Sequence, residues 1–218
     1  MKYSLKKRGF TLIELLVVIT IIGLLAGLAV PAINGALDKA KQAGDVANVR
    51  QVGLIFFTIA NDDSGSFPGH PSDPIEERRD VQETVTLFNS ILKNKELTAP
   101  KILVSQAGGT TVYTGSLSQA NLLPGNIAWD YVTKLTTTDA GSLPLLITKG
   151  AVTGDASLFG SEMTLGVNNL WKKKGMVVYS VGNSASWLKI NNTTNKIPKL
   201  FDPTDVTDVE TKLIITTK

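Results

Sequence analysis

The sequence predicts an α+β fold: a long N-terminal helix, half membrane-spanning and half amphipathic, packed on a C-terminal antiparallel β-rich domain. Three observations carry this. Residues 10–30 (FTLIELLVVITIIGLLAGLAV) run apolar for 21 positions with a single charge, Glu14. After Pro31, apolar residues keep helical spacing to about Ala60. Beyond Pro100, short β-like runs alternate with clusters of turn formers.

The apolar run comes first. A helix of this length spans about 30 Å, the thickness of a hydrocarbon core. Lys2, Lys6, Lys7 and Arg8 lie on its N-terminal side. The positive-inside rule then keeps the N-terminus cytoplasmic and exports everything after Pro31. A secretory signal peptide would also have a basic start and an apolar core, with a small-x-small cut after Ala29. This run, however, exceeds the usual length of about 7–15 residues and holds a carboxylate. In a plain single-pass anchor, Gly23 and Gly27 form a GxxxG pair suited to close helix packing. Glu14 would then only be a cost, about 2–3 kcal/mol at mid-bilayer.

A third reading gives Glu14 a role. The string KKRGFTLIELLVVI resembles the class III signal of type IV pilins and pseudopilins: a short basic leader, Gly9, then Phe10, Thr11, Leu12, Ile13, Glu14 and an unbroken apolar run. The resemblance implies cleavage by an inner-membrane prepilin peptidase between Gly9 and Phe10, N-methylation of Phe10, and retention of the hydrophobic helix. Cleavage leaves a positive amine at the start of a helix bound for an apolar place, and a buried charge needs a partner. In the family the glutamate supplies it, so Glu14 is expected to pair with the amine of a neighbouring subunit during assembly. It is also four residues from its own Phe10, within reach on a helix.

The helix is expected to run from Phe10 to about Ala60. Ile33, Leu37, Ala40, Ala43 or Ala47, Leu54 and Ile55 or Ile59 recur on one face, while Asp38, Lys39, Lys41, Asp45 and Arg50 take the others. Gly23, Gly27 and Pro31 weaken the membrane half. The resemblance implies local unwinding there in filaments, and a simple kink is the alternative. Gly35, Gly44 and Gly53 each cost the helix about 1 kcal/mol relative to alanine. They serve a close neighbour or nothing. NDDSGSFPG, from Asn61 to Gly69, ends the helix as a polar turn.

A second helix is expected in DPIEERRDVQETVTLFNSILKNKEL, starting near Pro74, with Val81, Val85, Phe88, Ile91 and Leu92 on its apolar face. Strands are expected in KILVS, TVYTG, NIAWDYV, LPLLITK, GMVVYSVG, SWLKI and TKLIITT. The last hairpin turn reads Val181, Gly182, Asn183, Ser184, where many pseudopilin-like proteins carry an aspartate and a histidine. Trp129, Trp171 and Trp187 read as core or edge aromatics. Lys172, Lys173 and Lys174 form a small basic tip, solvated or in contact with a partner. Asp202, Asp205, Asp208 and Glu210 are the calcium candidates; the resemblance to major pseudopilins points there, and hard oxygen ligands suit the ion.

Charge and composition exclude other classes. The chain has 22 Lys and Arg against 19 Asp and Glu, but four of the cations precede Gly9. Without those four the balance is 18 to 19, a formal −1, so no basic stripe is left for nucleic acid. There is no cysteine, hence no disulfide or thiolate chemistry, and many type IV pilins do close a C-terminal loop with a disulfide. His70 is the one histidine and no P-loop, GxGxxG, HExxH or GxSxG is present, so an enzyme is not expected. No cofactor is expected apart from calcium.

The organisation expected is a leader at 1–9, a membrane and filament-core helix at 10–30, its amphipathic continuation at 31–60, and an exported α+β domain at 61–218. The resemblance implies a filament subunit, foremost a type II secretion pseudopilin. The alternatives are a type IV pilin for adhesion, motility or DNA uptake, and a membrane-anchored or secreted binding protein that does not polymerise. Implied partners are copies of itself, other pilin-like subunits, prepilin peptidase and an inner-membrane assembly platform. The implied location is the bacterial inner membrane, with the C-terminal domain periplasmic or extracellular.

Overall fold

The structure is a computed structural model that describes residues 9–79, 81–152, 156–202 and 214–215. It divides into two compact units, the first ending at Ala40 and the second beginning at Lys41. One helix, α1 (Leu12–Asp62), contributes to both. In the first unit its large apolar side chains, from Leu12 to Leu37, are exposed all round. Such a surface marks membrane or interface contact, and the helix is long and apolar enough to cross a bilayer.

α1 remains helical through Pro31. Proline removes one hydrogen bond, leaving the Gly27 carbonyl without its usual donor. The unwinding expected for assembled filaments is therefore not present in the single chain.

In the second unit α1 buries Asp45, Val49, Val52, Gly53, Phe56, Ile59 and Ala60. This is not the expected stripe. Ala43, Ala47 and Leu54 lie outside it, and Leu54 is exposed. The shift of face has a chemical cause. Asp45, expected outside, accepts hydrogen bonds from the Ser105 hydroxyl, the Gln106 amide at 2.6 Å and the Trp171 indole at 2.8 Å. Three donors let a carboxylate sit in the core without a cation. Burial still pushes its pKa above the ordinary range, with the three bonds pulling the other way.

α1 ends two residues beyond the expected Ala60. The Gly65 amide closes on the Ala60 carbonyl at 2.7 Å, with Gly65 at φ +88°, a left-handed cap that glycine adopts freely.

The second helix is shorter than expected. Residues Glu76–Arg78 form one 3-10 turn, and α2 begins only at Thr84 and runs to Lys93. Asp73 organises the segment that leads into this turn. Its carboxylate accepts from the amides of Gly69 and Ile75 at 2.9 Å each and binds Arg78 at 3.0 Å. Leu87, Phe88, Ile91 and Leu92 of α2 are buried.

The sheet has five antiparallel strands in the order β4-β3-β2-β1-β5: β1 (Trp129–Val132), β2 (Pro144–Thr148), β3 (Gly175–Ser180), β4 (Ser184–Lys189) and β5 (Ile214–Ile215). Five of the seven expected runs are strands. KILVS is instead a 3-10 turn, Pro100–Leu103, and TVYTG is loop. Proline at the first position favours the turn, and the apolar content is still used: Ile102 and Leu103 are buried, and Ile102 accepts the Trp129 indole at 3.0 Å.

Within the second unit α1 lies on this sheet through aromatic edges. Phe56 meets Tyr131 with centroids 5.2 Å apart, and Phe57 meets Tyr179 at 6.3 Å. Of Gly35, Gly44 and Gly53, two have a close neighbour: a Cβ on Gly44 would lie 3.0 Å from the Gln106 side chain. A Cβ on Gly53 would lie 2.1 Å from the Tyr179 ring, so the missing side chain makes room for this β3 ring against the helix. Gly35 has nothing within 4 Å of a built Cβ.

Candidate functional site

The site is the start of α1. Gly9 and Phe10 precede the helix, and Phe10 is 73% exposed. Thr11 is the cap. Its hydroxyl accepts the Glu14 amide at 3.3 Å, and the Glu14 carboxylate reaches back to the Thr11 amide at 2.8 Å and hydroxyl at 2.7 Å. This reciprocal arrangement is a capping box, which satisfies orphan amides at a helix start. It also places a negative charge where the helix dipole favours one.

Thr-x-x-Glu before an apolar run is a readable signal for such a box. The motif gives Glu14 the role of partner for an amine; the structure adds Thr11 as its capping partner. Both bonds from Thr11 end on Oε2 of Glu14, and neither uses Oε1. Phe10, Ile13, Glu14, Val17 and Val18 line a shallow open hollow on the helix surface, so the carboxylate sits in apolar surroundings.

Further along, built Cβ atoms on Gly23 and Gly27 meet nothing within 4 Å. This face of the helix is bare in the single chain and can take the backbone of another helix.

The sequence comparisons bear on this segment. Residues 4–30 match the family model described as a prokaryotic N-terminal methylation motif. The chain carries that motif. It is also 47% identical over 49 residues to type II secretion system core protein G of Escherichia coli (strain K12), covering 22% of this chain and 34% of that protein. It is 38% identical over 68 residues to type IV major fimbrial protein FimA of Dichelobacter nodosus, covering 31% of this chain and 41% of that protein. The chain thus spans well under half the length of either relative. No solved structure matches it significantly. The long N-terminal helix and the antiparallel sheet make this an α+β, pilin-like arrangement.

The calcium candidates are not brought together by described residues. Asp202 is exposed and bonds to Lys199 at 3.1 Å, while Asp205, Asp208 and Glu210 lie outside the described residues. Among the described residues no group of three acidic, histidine or cysteine side chains is placed to hold a metal ion. His70 bonds to Ser72 at 2.6 Å in its loop. The Val181–Ser184 turn closes the β3–β4 hairpin, with Asn183 at φ +57° and its side chain on the Tyr179 hydroxyl at 2.7 Å.

Proposed function

We propose that this chain is the structural subunit of a pilin-like filament, foremost a type II secretion pseudopilin. It is held in the inner membrane with its N-terminus cytoplasmic, cut between Gly9 and Phe10, methylated on Phe10 and polymerised through α1. The observation that carries the reading is Glu14, a carboxylate four residues after the motif's Gly9–Phe10 bond on a helix apolar all round. Cleavage creates an amine, and burying that amine alone would cost several kcal/mol. Glu14 offers Oε1 to a neighbour's amine while Oε2 goes on capping its own helix. The apolar faces of many copies then bury one another, and the β-rich unit faces outward.

The test is Glu14→Ala in the full chain, co-expressed with prepilin peptidase and the assembly platform. Processing should persist while fibres, counted by electron microscopy, fall at least tenfold. Unchanged fibres would refute the charge-pairing role. The fimbrial relative favours a type IV pilus as the second reading. A deletion strain separates the two: loss of exported enzymes supports the secretion role, and loss of surface fibres with secretion intact supports the pilus.

A further inference from the structure

At the C-terminal end of α1 an open cavity of about 240 Å³ has Ile55, Ile59 and Ile75 in its lining, with Asp62, Asp63 and Glu96 beside them. Its one cation, Arg78, is buried and already engaged by Asp63 at 3.6 Å, Asp73 at 3.0 Å and Glu96 at 2.7 Å. Asp62 adds a fourth carboxylate on the exposed side. Three acids therefore share one guanidinium, and a fourth lines the same cavity. The crowding is felt: burial, with repulsion from Asp73, holds both Asp63 and Glu96 above the ordinary carboxylate range. An apolar wall with an acidic rim suits a lysine, whose alkyl stem covers the isoleucines while its ammonium meets the carboxylates.

The same unit carries a matching group. Lys172, Lys173 and Lys174 are consecutive and exposed. They follow Trp171, whose indole is tied to Asp45 of α1. The basic tip thus sits at the Asp45 level of the helix and the cavity at the Ile55–Asp62 level. Ten to seventeen residues of helix separate them, about 15–25 Å at 1.5 Å per residue. That is beyond the reach of a lysine side chain, so a chain cannot seat its own tip in its own cavity. A parallel copy displaced along α1 by that distance can.

We propose that the Asp62–Asp63–Glu96 cavity receives the Lys172–Lys174 tip of a second copy of this chain. The contact rests on the filament reading for its setting but uses residues unrelated to Glu14. It joins two different patches, so it is heterologous, and repeating it gives an open-ended array rather than a closed dimer. It also gives the exported units a register of their own along the filament.

The chain has no cysteine, which makes the test clean. Asp62 and Lys173 are both exposed, and the full-length Asp62→Cys/Lys173→Cys chain is oxidised in assembling cells. A ladder of disulfide-linked dimers, trimers and higher species is expected on non-reducing gels, with dimers at most from either single variant. In parallel, Asp62→Lys should lower fibre number about tenfold, and Lys173→Glu in the same chain should restore it. Fibres with no ladder and no effect of the charge swap overturn the contact and leave the filament reading standing. A ladder in cells whose parent chain makes no fibres supports the contact and overturns the filament reading. Absence of both overturns both.

Discussion

Gly53→Ala is the substitution whose consequence the packing defines most sharply. The added Cβ would lie 2.1, 2.2 and 2.5 Å from three carbons of the Tyr179 ring. Carbon contacts relax only near about 3.5–4.0 Å, so helix and strand must part by about 1.4 Å or the ring must turn away. Tyr179 is fully buried and bonded to Asn183 at 2.7 Å. Burial raises its hydroxyl to about 12, so the donor persists at any working pH. Overpacking of this kind costs about 1–3 kcal/mol, with the upper end if the backbone moves. If the ring turns instead, losing the Asn183 bond adds about 1 kcal/mol; either way the better helix propensity of alanine returns about 1 kcal/mol. The net loss is about 2 kcal/mol, or a fall in Tm of about 4–8 °C for a body of this size. The assay is thermal unfolding of the detergent-solubilised full chain, followed by tryptophan fluorescence, since Trp129, Trp171 and Trp187 all report on the second unit. Gly35→Ala is the control; with open space at its Cβ it should not destabilise. A Gly53→Ala chain as stable as the parent, or more stable, would refute the close approach of β3 to α1.

Two further outcomes follow from the buried charges. Arg78→Leu should destabilise by about 3–5 kcal/mol, because Asp63, Asp73 and Glu96 would lose their shared cation; denaturant unfolding reads the loss. Asp45, Asp63 and Glu96 all have raised pKa values in the folded state, caused first by burial. The folded chain then binds protons more readily than the unfolded one. The stability these groups contribute is fully present below the ordinary carboxylate pKa of about 4 and is lost as pH rises through the folded values. Asp45→Asn should flatten the change in stability between pH 4 and 7, whatever its effect on absolute stability; an unaltered slope contradicts the assignment.

Much of the architecture was legible in the chain because it depends on period and run length. The span from Phe10 to Pro31 and the alternation of β-like runs with turns after Trp129 are patterns that local chemistry writes directly. What escaped depended on distant partners. Asp45 reads as a surface residue until Ser105, Gln106 and Trp171 are seen to supply three donors. The α1 face turned with it, leaving Leu54 outside. The second helix gives way to a 3-10 turn at Glu76–Arg78, a segment tied by Asp73 to two amides and Arg78, none of which a periodicity count includes. KILVS reads as a strand by composition but has Pro100 at its start and the Trp129 indole on its Ile102 carbonyl. At the site, Gly9, Phe10 and Glu14 were readable from the motif. Thr11 was equally readable as the cap in Thr-x-x-Glu, yet it emerged only once its two bonds to Oε2 were in view.

The most direct test is the N-terminus of the mature chain. Intact-mass and peptide mass spectrometry of protein purified from cells with an active prepilin peptidase should find N-methyl-phenylalanine at Phe10, with the apolar run from Leu12 still attached. A mature chain beginning at Val30, from cleavage after Ala29, or one that keeps residues 1–9, would contradict the account.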